Sequence, residues 1–346
     1  MIAEQTDGRI QSRRSRGFYA KRIVKWLAIL LIGIVALGIG YQAAASQIDL
    51  RSFVPRGQMI DVDGHLMHIH CTGEGSPMII LEAGAFSFSA EWYWVQKQLE
   101  QTYRVCSYDR AGNGYSESVG GLRDGQVLAH ELHALLERAG VSEPLVIVGH
   151  SLGGVLAPIY ASLYPDEVEG LVLVDSAVPR NWADYAEFEE YLTAFPSPYM
   201  VMTLMTRVGI TRLILPPELR GYGYPADIIA ELTAFKATAQ GVDTWNAEVQ
   251  EAQWDLGQQL RAVGNLGDLP VIVLWASNPA FKTAEDRAVL EQIWSMLPTF
   301  SDNTVVQVVD GADHGSIIGN EQYTRQVTEA VFRVVRSAQL AEPLVE

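Results

Sequence analysis

The chain has 346 residues, 48% of them hydrophobic, enough for one large domain with a sizeable core and an insertion. Its 25 basic and 41 acidic residues give a net charge of −16, which argues against nucleic acid as a partner. The charge is uneven: residues 1–25 carry seven basic side chains against Glu4 and Asp7, and the remainder stands at about −21.

Residues 1–25 read as a basic tail. From Trp26 to Ile48 no charged side chain occurs, and about twenty apolar residues suffice to cross ~30 Å of hydrocarbon as a helix. Basic residues before this stretch and Asp49 after it place the N-terminus in the cytoplasm and the acidic bulk on the far side, by the positive-inside rule. Two readings follow: an uncleaved signal anchor over residues 26–46, or a signal peptide cleaved near Ala43-Ala44-Ala45 to give a secreted protein. The length of the apolar core favours the anchor. Residues 47–57 read as a polar linker.

Gln58–Val62 and His65–Cys71 flank Asp63-Gly64, a strong hairpin signal. His68 and His70 share one face of the second strand, and with no carboxylate or thiol pattern to complete a metal site they read as a solvated face. Met78 to Leu81 is a continuous apolar strand ending in Glu82-Ala83-Gly84-Ala85-Phe86-Ser87. A tryptophan-rich helix over Glu91–Gln101 and a strand over Tyr103–Tyr108 follow, then the loop from Asp109 to Ser116. Gly125–Ala139 repeats its apolar residues at helical spacing. Its His130 and His133 do not form the H-E-x-x-H zinc motif and read as surface residues. Cys71 and Cys106 are too few to frame a fold; each sits in a predicted strand and reads as a buried free thiol, with one bridge between adjacent strands as the alternative in an oxidising compartment.

The most informative stretch is Leu145 to Gly154, LVIVGHSLGG. An apolar strand breaks into Gly149-His150-Ser151-Leu152-Gly153 and passes at once into an apolar helix, which is G-x-S-x-G in the strand–turn–helix context of a nucleophile elbow. The turn is so tight that Gly149 and Gly153 sit where only very small residues fit, lifting the Ser151 hydroxyl clear of the sheet. The strand Leu171–Val174 then ends at Asp175. Strand–helix alternation lapses from Ser176 to Asp268, a helical stretch rich in aromatics and methionines (Trp182, Tyr185, Tyr199, Met200 and Met205 among them) that is too long for a loop and reads as an inserted cap. Alternation resumes with Val271–Trp275, a helix over Ala284–Met296, the strand Thr304–Val309 and an amphipathic helix over Glu321–Ala338. Continuous apolar strands between helices imply a mostly parallel sheet covered on both faces. The core thus comprises residues 58–175 and 269–340, with the cap at 176–268.

From Gln58 to Ala338 the chain resembles the α/β-hydrolase superfamily. Three features carry the resemblance: the elbow Gly149-His150-Ser151-Leu152-Gly153-Gly154, the loop Asp109-Arg110-Ala111-Gly112-Asn113-Gly114-Tyr115-Ser116, and Asp310-Gly311-Ala312-Asp313-His314 after the last strand. The resemblance implies an eight-stranded, mainly parallel sheet whose second strand is antiparallel, with a helical cap inserted after strand six. Some relatives carry an Asp nucleophile and open epoxides or displace halide; Ser151 instead implies cleavage of an ester, thioester or amide through an acyl-enzyme.

A serine hydroxyl needs a base within hydrogen-bond reach, and His314 matches the family's last triad member. The acid is the open element. Relatives usually place it just after strand seven, where this chain has Ala276-Ser277-Asn278-Pro279-Ala280-Phe281-Lys282 and no carboxylate before Glu285 and Asp286, which read as the first turn of the next helix. Asp175 is the better candidate, with Asp286, Glu285 and Asp302 as alternatives. One oxyanion donor is the N–H of Leu152; the family pattern assigns the other to the N–H of Ala85, with Phe86 as the alternative. Asp109 and Arg110 read as a buried ion pair beneath the site. No cofactor motif and no metal-ligand pattern occurs. The expected function is a membrane-anchored serine hydrolase acting on a small or lipid-like carboxylic ester. The alternatives are an amidase or peptidase using the same serine, and a non-catalytic binding protein of hydrolase fold, which gains if no carboxylate reaches Nδ1 of His314.

Overall fold

The computed structural model describes residues 4–176, 197–251, 253–277 and 300–345. Among them, eight strands form one sheet: β1 (Gln58–Val62), β2 (His65–Thr72), β3 (Met78–Glu82), β4 (Val105–Tyr108), β5 (Leu145–His150), β6 (Val168–Val174), β7 (Val271–Ala276) and β8 (Thr304–Val309). Their spatial order is β1-β2-β4-β3-β5-β6-β7-β8. β2 runs antiparallel to β1 and β4, and every other neighbouring pair is parallel. The first two strands turn through Asp63 and Gly64, both with positive φ (51° and 94°), as a tight two-residue hairpin requires.

All residues of β3, β5 and β7 are buried, which is why these segments are apolar throughout rather than alternating. Successive side chains serve opposite faces. Ile147, Leu173 and Val273 pack in one layer with α3 (Gly125–Arg138), α4 (Leu152–Leu163) and α9 (Gln253–Val263); Val146, Val148 and Val172 pack in the other with α2 (Tyr93–Leu99) and α11 (Glu321–Leu340). Each such fully buried aliphatic side chain contributes about 1.5–3 kcal/mol.

Between β6 and β7 lie α5 (Pro198–Arg207), α6 (Thr211–Tyr222), α7 (Ala226–Lys236) and α8 (Ala239–Trp245). A third apolar cluster, with Leu219, Ile228 and Leu232 packed on Phe88 and Ala90, seats α6 and α7 over the loop that follows β3. The residues Trp182, Tyr185 and Ala284–Met296 of the sequence reading lie outside the described residues. A shorter α10 (Ser316–Gly319) precedes α11.

Several expectations are corrected. The helix expected over Glu91–Gln101 is a 3-10 turn, Ser89–Trp92, followed by α2. Residues 47–52 of the expected linker are helical: α1 runs from Glu4 to Ser52, its last turns held by Arg212, which donates to Gln42 Oε1 at 2.8 Å and Ser46 Oγ at 3.2 Å and pairs with Asp49 at 2.6 Å. Cys71 and Cys106 are joined in a disulfide, because the β2–β4 register sets them directly opposite one another. His68 is buried, 2% exposed, since the loop after β4 covers its face of β2. Its Nδ1 donates to Asp109 at 2.9 Å and its Nε2 to the Arg56 carbonyl. Burial opposes the charge, but Asp109, the Arg56 carbonyl and Glu231 together raise the pKa. Asp109 and Arg110 are both buried but do not pair with each other: Asp109 holds His68 and the Ser89 and Tyr115 amides, while Arg110 pairs with Glu82 and Glu248.

Candidate active site

The segments that follow β3, β5 and β8 converge on one cavity of about 490 Å³, lined by Ala85, His150, Ser151 and His314 on the sheet side. Ser151 stands between β5 and α4 at φ 52°, ψ −117°. A non-glycine residue in that region stores about 1–3 kcal/mol and persists only where its surroundings over-determine it. Here the Ser151 amide donates to the Val174 carbonyl at 3.1 Å and its own carbonyl accepts from Gly154 at 3.0 Å. The glycines permit the turn by close approach: a Cβ on Gly149 would strike the Gly153 carbonyl, and one on Gly153 would strike that of Glu82.

The structure brings Asp175 and His314 together across 139 residues: His314 Nδ1 donates to Asp175 Oδ2 at 2.6 Å. Asp175 has φ 40°. Its amide donates to the Leu274 carbonyl at 2.7 Å, and its Oδ1 accepts from the Ala276 amide at 3.1 Å, so the end of β7 aims the carboxylate. His314 lies in the loop after β8. There Asp313 Oδ1 accepts from the Gly315 and Ser316 amides at 3.1 and 2.8 Å, and the Tyr323 hydroxyl donates to the Gly311 carbonyl at 2.9 Å. His314 is half exposed, 50%, against 16% for Asp175. Ser151 Oγ and His314 face the same cavity without a direct hydrogen bond between them, a looseness common in free enzymes. Of the alternative acids, Glu285 and Asp286 lie outside the described residues. Asp302 precedes β8, at the opposite end of that strand from His314, and accepts from Asn265 at 2.8 Å.

For the oxyanion donors, Leu152 is the first residue of α4, and a first-turn N–H has no intrahelical acceptor. The Ala85 amide is oriented by Arg110, whose guanidinium donates to the Ala83 carbonyl at 2.6 Å and the Gly84 carbonyl at 2.8 Å. In a trans peptide the N–H points opposite to the C=O, so the Gly84–Ala85 peptide turns its N–H away from Arg110. Gly84 allows this loop to approach Ser151, since a Cβ there would lie 3.1 Å from Ser151 Cβ. Phe86 follows at φ 58°.

Sequence reasoning missed His150. Its Nε2 donates to the His314 carbonyl at 2.8 Å and its ring lies 4.6 Å from that of His314. Burial, reinforced by His314, pushes its pKa down to about 3, so it is a neutral donor at ordinary pH. No spacing rule signals this contact, because it depends on where the β8 loop folds back. The roof was also missed: Leu215, Leu219 and Tyr222 of α6, Tyr224, and Lys236 of α7 line the cavity. Lys236 pairs with Glu91, which accepts from the Ser87 hydroxyl. Met200, from the methionine set, is instead 47% exposed on α5. A second cavity of about 270 Å³ shares Ser87 and Lys236 with the first and reaches Ser46 and Asp49 of α1. Among the described residues no three His, Cys, Asp or Glu side chains gather as a metal-ligand cluster.

The chain belongs to the alpha/beta hydrolase fold family, whose model matches residues 76–320. It is 36% identical over 104 residues to an AB hydrolase superfamily protein of Gibberella zeae, covering 29% of this chain and 32% of that protein. Matches to curated relatives are partial, spanning from about a fifth to about half of those proteins' own length. Among solved structures, an esterase from Thermogutta terrifontis superposes with TM-score 0.57 at 21% identity, over 81% of this chain and 98% of that one. An epoxide hydrolase from Bacillus megaterium superposes with TM-score 0.60 at 19% identity, over 81% and 100%. At these identities the structures establish the fold.

Proposed function

We propose that this protein is a membrane-anchored serine hydrolase that cleaves a carboxylic ester through an acyl-enzyme on Ser151. The observation that carries the reading is the 2.6 Å bond from His314 Nδ1 to Asp175 Oδ2, on the rim of the cavity that holds Ser151. With Nδ1–H engaged by the carboxylate, Nε2 is left as the basic nitrogen. His314 takes the Ser151 proton as Oγ attacks the ester carbonyl carbon, and returns it to the departing alkoxide. Water, activated by the same imidazole, then releases the acid and restores the serine. The N–H groups of Leu152 and Ala85 receive the oxyanion, each such donor being worth about 2.7–4 kcal/mol in the transition state. A carboxylate within reach of Nδ1 also weighs against a purely binding role.

The helix α1 contains one span, Lys21–Asp49, long and apolar enough to cross a bilayer. The Cys71–Cys106 disulfide supports an extracytoplasmic hydrolase domain, because such bonds persist in oxidising compartments. The test is fluorophosphonate labelling of the detergent-solubilised chain. Wild type labels, and Ser151→Ala and His314→Ala do not. A folded wild type that fails to label, or a Ser151→Ala variant that still does, overturns the assignment.

A further inference from the structure

The corner between α5 and α6 presents an apolar surface with no protein partner among the described residues: Met200 47%, Val201 38%, Leu204 62%, Ile210 40%, Leu213 68% and Ile214 47% exposed. From Pro198 to Leu219 the only charged residues are Arg207, Arg212 and Glu218, in a chain of net charge −16. The same corner packs on α1. A Cβ on Gly38 would lie 2.6 Å from the Val208 carbonyl oxygen, and one on Gly209 would lie 2.9 Å from the Tyr41 ring. A few turns further on, Arg212 gathers Gln42, Ser46 and Asp49.

We infer that the α5–α6 corner is a membrane-docking surface, immersed in the outer half of the bilayer that α1 crosses. The inference rests on the anchor reading above and fixes its geometry. Taking ~20 residues as the apolar span from Trp26, the helix leaves the hydrocarbon near Ala45. Gly38 then lies ~10 Å inside that boundary, and the Val208 backbone beside it is at the same depth, within the ~5–10 Å typical of interfacial helices. Asp49 and Arg212 fall at headgroup level, where their charges neutralise one another as an ion pair.

Backbone in that position must be satisfied internally. Much of it is: the Val208 amide donates to the Leu204 carbonyl at 3.1 Å, Gly209 to Thr206 at 3.1 Å, Ile210 to Met205 at 2.8 Å and Leu213 to Ile210 at 2.8 Å. The turn's hydroxyls, Thr206 and Thr211, bond one another at 2.9 Å. The opposite side of α6 supplies Leu215, Leu219 and Tyr222 to the catalytic cavity, so a docked α6 sets that cavity against the leaflet, and the fitting substrate is an ester that partitions into lipid.

The test uses the full chain in phosphatidylcholine–phosphatidylglycerol vesicles, with an environment-sensitive fluorophore on single introduced cysteines: Leu204→Cys, Leu213→Cys, Ile32→Cys within α1, and Leu340→Cys. Leu340 is at the far end of the sheet, next to Gln339, which reaches the Ser76 carbonyl ahead of β3. Doxyl-labelled lipid is expected to quench positions 204, 213 and 32 by about two-fold or more and to leave 340 unchanged. Quenching at 32 without quenching at 204 and 213 overturns the docking surface and leaves the anchor standing. Loss of quenching at 32 overturns both.

Discussion

The floor and the roof of the cavity that holds Ser151 are built on different principles. The floor is backbone: Ser151, which lines the cavity, and Asp175, which holds His314, are two of the five non-glycine residues with positive φ among those described, and each directly follows a parallel strand, β5 and β6. The amide of each donates to a carbonyl of the neighbouring strand, Ser151 to Val174 and Asp175 to Leu274, so about 1–3 kcal/mol of local strain is tolerated per residue. The roof is side chains. α6 and α7 meet the core through Leu219, Ile228, the Tyr224 hydroxyl on the Glu91 carbonyl at 2.8 Å, and the Lys236–Glu91 pair. The floor thus rests on main-chain bonds between strands, whereas the roof rests on side-chain contacts that substitution can alter.

Three substitutions probe this division, from the largest effect to the smallest. Asp175→Asn keeps a residue type that tolerates positive φ, but its amide favours the wrong imidazole tautomer; kcat on a model ester should fall about 10⁴-fold with little change in thermal midpoint. A loss below tenfold would place the acid elsewhere and detach the floor from catalysis. In the roof, Leu215→Ala should change the preference among acyl chain lengths by roughly 10–100-fold in kcat/KM. Labelling of Ser151 by a small fluorophosphonate should stay as fast as in wild type; a parallel loss of labelling would show that roof and floor are coupled.

The smallest effect concerns His150, where the floor touches the histidine loop. Its pKa is depressed from 6.5 to about 3, so between those values the unfolded chain binds a proton that the folded one refuses, and stability falls as the pH drops through that window. His150→Gln retains a donor for the His314 carbonyl and removes this dependence. Denaturation midpoints from pH 6 to 4 should fall less steeply for the variant, by about 1.4 kcal/mol per pH unit at most. Identical slopes would mean that His150 is protonated in the folded protein.

Local chemistry made the sheet and the elbow legible. Continuous apolar runs such as Met78–Leu81 are dictated by burial on both faces, and Gly149 and Gly153 by the clash any side chain would make. The helix from Glu4 to Ser52 was legible only to its apolar limit, because its last turns depend on Arg212, more than 160 residues away.

What the sequence alone determined was the class of sheet, the order of its strands along the chain and the tight turn that exposes Ser151, all consequences of side-chain volume and burial within a few residues. Tertiary structure decided which carboxylate meets His314, that Cys71 faces Cys106, that His68 is buried on Asp109, and that an apolar corner of the roof lies against α1. Each joins segments far apart in sequence, and no local pattern encodes which strand end or helix a side chain will face once the sheet has closed.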